Sequence, residues 1–379
     1  PLYEPIKAVQ GEPGRDAVDP KILMALWIWS TIEGISSARQ IERLCRRDLA
    51  YLWICGDVGV NHHLLSDFRK GHGEFLEELL RDTIATLVYQ EVVTLETVAQ
   101  DGMRVRASAG SGSFRPKKTL EQCREAAANQ LEALRQERES EESDRSSGSK
   151  RQQAARTRAA EERQARVEAA LANLTELQDQ KEQRQKGSGE QARCSTTDPE
   201  ARNMKMGDGG FRPAYNVQFA TDGDSRMIVA VDVTNNGSDG GQMPSLHEKV
   251  CEQYDKVPPQ YVVDGGFVTN AAVTAVEQTG SEVYGPMPHA ERIERRGGDP
   301  HARRAGDSDE MFAFRQRMQS RSAQEILKTR PSIAEYPNAE CRNRGLQQFR
   351  VRGLEKVKTV CLWYALTFNL MRMWQLKVI

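Results

Sequence analysis

Residues 261–270 read "YVVDGGFVTN". Val262 and Val263 are good strand material, the run ends on Asp264, and Gly265 and Gly266 follow at once. Glycine there permits positive φ or close backbone approach. An acid at the carboxyl end of a buried strand is where an α/β protein presents chemistry. The plainer reading is a strand-to-turn junction, with Asp264 capping the helix that starts near Thr269. Either way the segment predicts a strand, a tight turn and a helix.

The same alternation extends outward. Upstream, "AYNVQFATD" (214–222) alternates and "RMIVAVDVTNN" (226–236) is a strand of buried type, with Asp222-Gly223 as the hairpin turn between them. "PSLHEKVCEQY" (244–254) is an amphipathic helix. Downstream, "NAAVTAVEQTG" reads as helix and "EVYGPMP" as strand. Charged loops fill 290–308, and the chain from Asp309 is helical, with breaks near Pro331 and Gly345. Far upstream, "ETVAQDGMRVRA" (96–107) is a strand with a polar face that carries Asp101. These elements imply a mixed sheet flanked by helices.

Two other regions differ in character. Residues 1–95 are helical. "DPKILMALWIWSTIEG" has Asp19 as N-cap, Pro20 at the first helical position and a stop at Gly34. "SSARQIERLCRRDLAYLWICG" follows, and Asn61 caps a short helix expected to carry Arg69, Lys70 and His72 outward. Short helices with a basic end fit a DNA reader of helix-turn-helix type or an ordinary bundle. Residues 118–193 are rich in Ala, Glu, Gln and Arg, with apolar stripes at Leu131 and Leu134 and at Val167, Leu171, Leu174 and Leu177. They read as an inserted antiparallel helical hairpin with solvated charges, turning at "SSGSK" (146–150). The expected organisation is then a helical 1–95, read either as a DNA-binding domain or as a plain bundle, a first core segment 96–117, the hairpin 118–193, and the remaining core with C-terminal helices 194–379.

The totals bound the classes. The 379 residues are 38 % hydrophobic and 28 % charged with a net charge of −1, so no global basic field announces nucleic acid. A local excess exists, with sixteen Lys/Arg against ten Asp/Glu over 291–358. Seven scattered cysteines without a CxxC pair read as reduced cytosolic thiols and argue against structural zinc. "VCLWYALTFNLMRMW" (360–374) is too short for a membrane span and is interrupted by Asn369 and Arg372. The start at Pro1 rather than Met implies a missing N-terminal piece.

Hard divalent cations take oxygen ligands, and two of them about 4 Å apart serve phosphodiester chemistry. Asp101 and Asp264 lie on strands, and a third acid is expected from a C-terminal helix, where Glu335, Glu340 and Glu355 are available. Glu335 is the best placed. It follows the small "SIA" and has Arg330, Arg342 and Arg344 around it to hold phosphates. Asp208 reads as turn chemistry, Asp232 as a structural strand residue, and His62, His63 and His247 as surface or packing residues. Trp363, Tyr364, Phe368 and Met371 have the helical spacing of a core stripe.

"VAQDGMRVRASAG", "RNMKMGDGGFRPAYNVQFATD", "VVDGGFVT" and "AEYPNAECRNRGLQQFRVRGLEKVKTVCLWYALTFNLMRM" resemble bacterial insertion-sequence DDE transposases, over nearly the whole chain and in order. The resemblance implies an α/β, RNase H-like mixed sheet flanked by helices, with an N-terminal helical domain and an inserted charged hairpin. It implies Asp101, Asp264 and Glu335 as catalytic, metal-holding acids. Arg330, Arg342 and Arg344 would join Arg69 and Lys70 in contacting DNA. It further implies two Mg²⁺ ions (Mn²⁺ substituting), and double-stranded DNA as partner, both element ends and target. A cytoplasmic homodimer on DNA completes the expectation. The competing readings are an inactive transposase fragment that only binds DNA, and a structural protein built around the hairpin.

Overall fold

The structure is a computed structural model that describes residues 2, 3, 17–140 and 147–379. The chain opens with helices α1 (Pro20–Ile32), α2 (Ala38–Leu44), α3 (Leu49–Cys55), α4 (His62–Gly71) and α5 (Gly73–Tyr89). Strand β1 (Thr97–Arg106) follows, then β2 (Phe114–Arg115), α6 (Lys117–Ser140), α7 (Ser147–Arg184), β3 (Cys194–Ser195) and β4 (Arg202–Lys205). Next come β5 (Phe211–Asp222), β6 (Ile228–Thr234), α8 (Met243–Tyr254), β7 (Gln260–Val262), α9 (Asn270–Glu277) and β8 (Glu282–Tyr284). The chain closes with α10 (Ala290–Glu294), α11 (Asp309–Arg317), α12 (Arg321–Arg330), a π-helical turn (Pro331–Glu335), α13 (Tyr336–Asn343) and α14 (Leu354–Gln375). It divides into two compact units. The first is Pro1–Val105, Asn216–Arg350 and Glu355–Ile379, and the second is Arg106–Tyr215 and Val351–Leu354.

In the first unit the strand order is β6-β5-β1-β7-β8. β5 and β6 form the antiparallel hairpin expected around Asp222, whereas β1–β7 and β7–β8 are parallel. A mixed sheet in this order, with helices on its flanks, is an RNase H-like core. Val98, Val217, Phe219, Val229, Tyr261 and Val262 fill it. The helical α1–α5 region belongs to the same unit. The Trp363 indole donates to the Arg69 carbonyl at 3.0 Å, tying α14 to α4. Asn369 is buried yet satisfied: its side chain accepts from Ile228 N and donates to Ile228 O, both at 2.8 Å. The polar break in the apolar C-terminal run is thus a bridge from α14 to the edge strand. Among the described residues no helix is long and apolar enough to cross a membrane.

Asp19 accepts from Lys21 N–H at 2.9 Å with Pro20 next, and Asn61 accepts from Leu64 N–H at 2.9 Å, so both expected N-caps form. The segment read as continuing from Ser36 to Cys55 is interrupted. Asp48 caps a new helix by accepting from Ala50 N–H at 3.0 Å, which separates α3 from α2.

In the second unit α6 and α7 form the inserted hairpin. Leu120, Ala170, Leu174, Ala192 and Cys194 make its core, and Arg163 reaches Gln130 at 3.3 Å, so the helices run antiparallel. Its two feet are joined by the β2–β3 ladder, Phe114 opposite Ser195. The turn expected at 146–150 does not form at 147–150. Residues 147–150 already belong to α7, and the connection at 141–146 lies outside the described residues.

Candidate active site

The parallel register of β1 and β7 pairs Ala99 with Val262, so Asp101, midway along β1, and Asp264, just past the end of β7, lie two residues further along on adjacent strands. Past Val263 the chain turns at once, Phe267 N–H donating to the Asp264 carbonyl at 3.0 Å. The cap of α9 is Thr269, not Asp264: its hydroxyl accepts from Ala272 N–H at 3.2 Å. Gly265 and Gly266 do not use positive φ. A Cβ on Gly266 would meet Asp239 and one on Gly265 would meet Pro286, both at ordinary contact distance, so neither positive φ nor close packing requires glycine here.

Glu335 arrives by a different route. Pro331 lacks an N–H, and its ring clashes with the carbonyl four residues back in an α-helix. The chain was expected to break there. Instead the helical path runs on from α12 into α13 through the wide π turn at Pro331–Glu335. Residues five apart on an α-helix point about 140° away from each other. The wider turn brings Arg330 and Glu335 to one face, where Arg330 Nη2 donates to Glu335 Oε1 at 2.8 Å.

That guanidinium is the meeting point of all three acids. Its Nη2 lies 3.9 Å from Asp264 Oδ1, and its Nη1 lies 4.0 Å from Asp101 Oδ1. Asp101 Oδ2 accepts from Asn338 Nδ2 at 2.9 Å, one helical turn beyond Glu335. The acids differ in environment. The Asp101 side chain is 20 % exposed, against 54 % for Asp264 and 53 % for Glu335. Burial pushes the Asp101 carboxyl up to about 6, against the pull of Arg330, the Gly102 N–H and Asn338.

Two polar atoms here are buried without a hydrogen-bond partner, Arg330 Nη1 and Asn338 Oδ1. Among the described residues no three His, Cys, Asp or Glu side chains are drawn together tightly enough to hold a metal ion as they stand. Arg330 supplies the positive charge in this arrangement. The donor set itself suits a hard cation: three carboxylates and an unpaired amide oxygen, with no thiolate or imidazole.

The other basic residues expected to contact DNA fare differently. Arg342 is exposed on α13. Arg344 is half-buried, donating to the Ile32 carbonyl at the end of α1 and lying 3.6 Å from Glu340, so it packs α13. Arg69 does not face outward. It is 7 % exposed, donates to the Ser36 carbonyl at 2.8 Å and lies 4.5 Å from the centre of the Trp27 ring. Burial pushes its guanidinium down to about 10. Lys70 stays at the surface, paired with Asp67 at 2.8 Å. Asp208 makes the turn chemistry expected of it, accepting from Gly210 N–H at 3.0 Å. Asn338 was missed in the sequence, although its spacing of three from Glu335 places both on one helical face.

Two family models match the chain. "Transposase domain (DUF772)" covers residues 1–71, and "Transposase DDE domain" covers residues 304–374. The second includes Arg330, Glu335 and Asn338, the helical side of the acid cluster. Both ends of the chain are thus similar to transposase domains, the C-terminal one of DDE type. Asp101 and Asp264 lie outside both matched stretches, and it is the sheet that brings them to the matched helix. No curated protein and no solved structure matches the chain. The similarity to a transposase DDE domain points to DNA as substrate and to divalent metal ions as cofactor.

Proposed function

We propose that this chain is a DDE transposase that cuts DNA at the ends of its insertion sequence and joins them to a target, using Asp101, Asp264 and Glu335 as one metal-holding set. The observation that carries the reading is the convergence of these three acids, from two parallel strands and a helix, on the single guanidinium of Arg330. Mg²⁺, or Mn²⁺ in its place, suits oxygen donors of this kind. The chemistry such ions supply when bound is activation of the attacking oxygen and stabilisation of the leaving one.

The chain's own residues prepare for that exchange. Arg330 balances the acids while the site is empty of other cations. When it turns away, its guanidinium is free to hold the scissile phosphate. Asn338 fixes the rotamer of Asp101 and keeps an amide oxygen unpaired beside it. In the first step water attacks the phosphodiester at each element end, the P–O3′ bond breaks and a 3′-hydroxyl is freed. In the second, that hydroxyl attacks a target phosphodiester, so one P–O bond forms as one breaks and no nucleotide hydrolysis is required. Coordinated cutting of two ends calls for a dimer on DNA. Exposed Arg342 and Lys70 are the remaining candidates for phosphate contact.

The test is incubation of the full chain with labelled DNA that carries the ends from its own locus, with Mg²⁺ or Mn²⁺. Nicks bearing 3′-hydroxyls and joined products are expected. Binding of those ends without any cleavage under either ion would instead identify a protein that only binds DNA.

A further inference from the structure

Asp239 lies in the loop joining β6 to α8, where Asp239-Gly240-Gly241 repeats the Asp-Gly-Gly of 264–266. Its Oδ1 accepts from Asn216 Nδ2 at 2.7 Å and from Gln218 Nε2 at 3.1 Å. Its Oδ2 accepts from Arg104 Nη2 at 2.8 Å. The network continues inward. Gln218 Oε1 accepts from Gln100 Nε2 at 3.0 Å, and Gln100 Oε1 accepts from the Tyr261 hydroxyl at 2.8 Å. This path ties β5, β1 and β7 together through residues next to the acids: Gln100 precedes Asp101, and Tyr261 is three residues before Asp264.

The backbone closes on the same carboxylate. Successive side chains of a strand point to opposite faces, so Gly102 faces away from the side on which Asp101 meets Arg330. A Cβ on Gly102 would collide with Asp239 Oδ1 and Gln218 Nε2. A Cβ on Gly266 would meet Asp239 Oδ2 at 3.7 Å, and one on Gly240 would meet the Gly266 carbonyl at 3.7 Å. Asp239 therefore touches the residue after Asp101 and packs against the second residue after Asp264. The carboxylate is only 14 % exposed. A buried charge of this kind is tolerated when its hydrogen bonds are filled, and a filled network is rigid.

We propose that Asp239 is a positioning residue, which holds β1 and the 264–268 turn from behind and so sets the spacing between Asp101 and Asp264. This rests on the reading of those two acids as metal ligands. Sites of this type tolerate displacements of only about 0.5 Å, and loss of an outer supporting group lowers metal affinity by about 10–100-fold.

The experiment is calorimetric titration of the full chain with Mn²⁺, comparing the parent with Asp239→Asn, Asp239→Ala and Asp101→Asn, with near-ultraviolet circular dichroism of each metal-free protein. The expected result is Mn²⁺ binding that depends on Asp101 and is weakened about 10-fold or more in a folded Asp239→Asn protein. Parental affinity in a folded Asp239 variant overturns the inference while leaving the metal reading intact. No Asp101-dependent binding in the parent overturns both. If neither Asp239 variant folds, Arg104→Met removes one donor at the partly exposed edge of the network. Several-fold weaker binding in that protein supports the inference, and unchanged affinity overturns it.

Discussion

Arg330 shows how much one side chain can conceal in a sequence. Five residues before a glutamate and near other arginines, it reads as a phosphate contact, and in this arrangement its guanidinium is also the counter-charge to Glu335, Asp264 and Asp101. Arg69 is the opposite case, an arginine at a helix end that packs inward against Trp27. Neither could be read from residue type, because burial of a charged side chain depends on what the rest of the chain brings to it. The three acids stood out in the sequence through local pattern: Asp264 ends a β-branched run, Asp101 sits inside a strand-like alternation just before Gly102, and Glu335 follows Pro331 by four residues. Asp101 carries a stability consequence. Its folded pKa, raised to about 6 from an ordinary 3.8, means that the folded protein favours the protonated acid. That contribution is full below the unfolded value and is lost as pH rises through about 6. Asp101→Asn should therefore stabilise the metal-free protein at pH 8 by roughly 2–3 kcal/mol, with the gain shrinking toward pH 4, while abolishing cleavage. Denaturant melts at both pH values check this, and a gain independent of pH would count against a strained, desolvated carboxylate. Arg342 and Arg344 separate by role. Arg342→Ala should reduce the log–log salt slope of DNA binding by about one. Arg344→Ala should leave that slope alone and lower the melting temperature.

At the scale of elements, periodicity carried most of the reading. The β5–β6 hairpin, β1, β7, α9 and β8 stand where alternation and turn residues put them. The π turn was not legible. Proline predicts a break from local sterics, and only the fit of α12 and α13 to the sheet decides that the helical path continues with a widened turn. Such turns are frequent at functional sites, and here the turn is what aligns Glu335 with Arg330. The hairpin was legible from composition, and its feet prove to be adjacent strands, Phe114 beside Ser195. Its core draws on its own residues, Leu120, Ala170 and Leu174 among them. Closing a short loop across adjacent feet costs little. Replacing 118–193 with a Gly/Ser linker should leave a cooperatively folding protein that still binds Mn²⁺, with joining of paired ends impaired more than metal binding. Loss of the cooperative unfolding transition on deletion would make the hairpin part of the folding core.

For the whole molecule, composition said little about function: a net charge of −1 hides the local basic excess, and length allowed several domain plans. Motif order along the chain said more, because acids far apart in sequence have to meet, and the β1–β7 register brings Asp101 and Asp264 side by side. Acids acting as one set should also fail as one set. Asp264→Asn and Glu335→Gln should each lose cleavage as completely as Asp101→Asn, with the triple variant little worse than any single one. The most direct test of the shared metal site is a crystal of the full chain soaked in Mn²⁺ and measured at the manganese absorption edge. Anomalous peaks bound by Asp101, Asp264 and Glu335 together, with the Arg330 guanidinium withdrawn from them, are expected. Manganese bound elsewhere, or no peak while Arg330 stays between the three acids at saturating Mn²⁺, would contradict it.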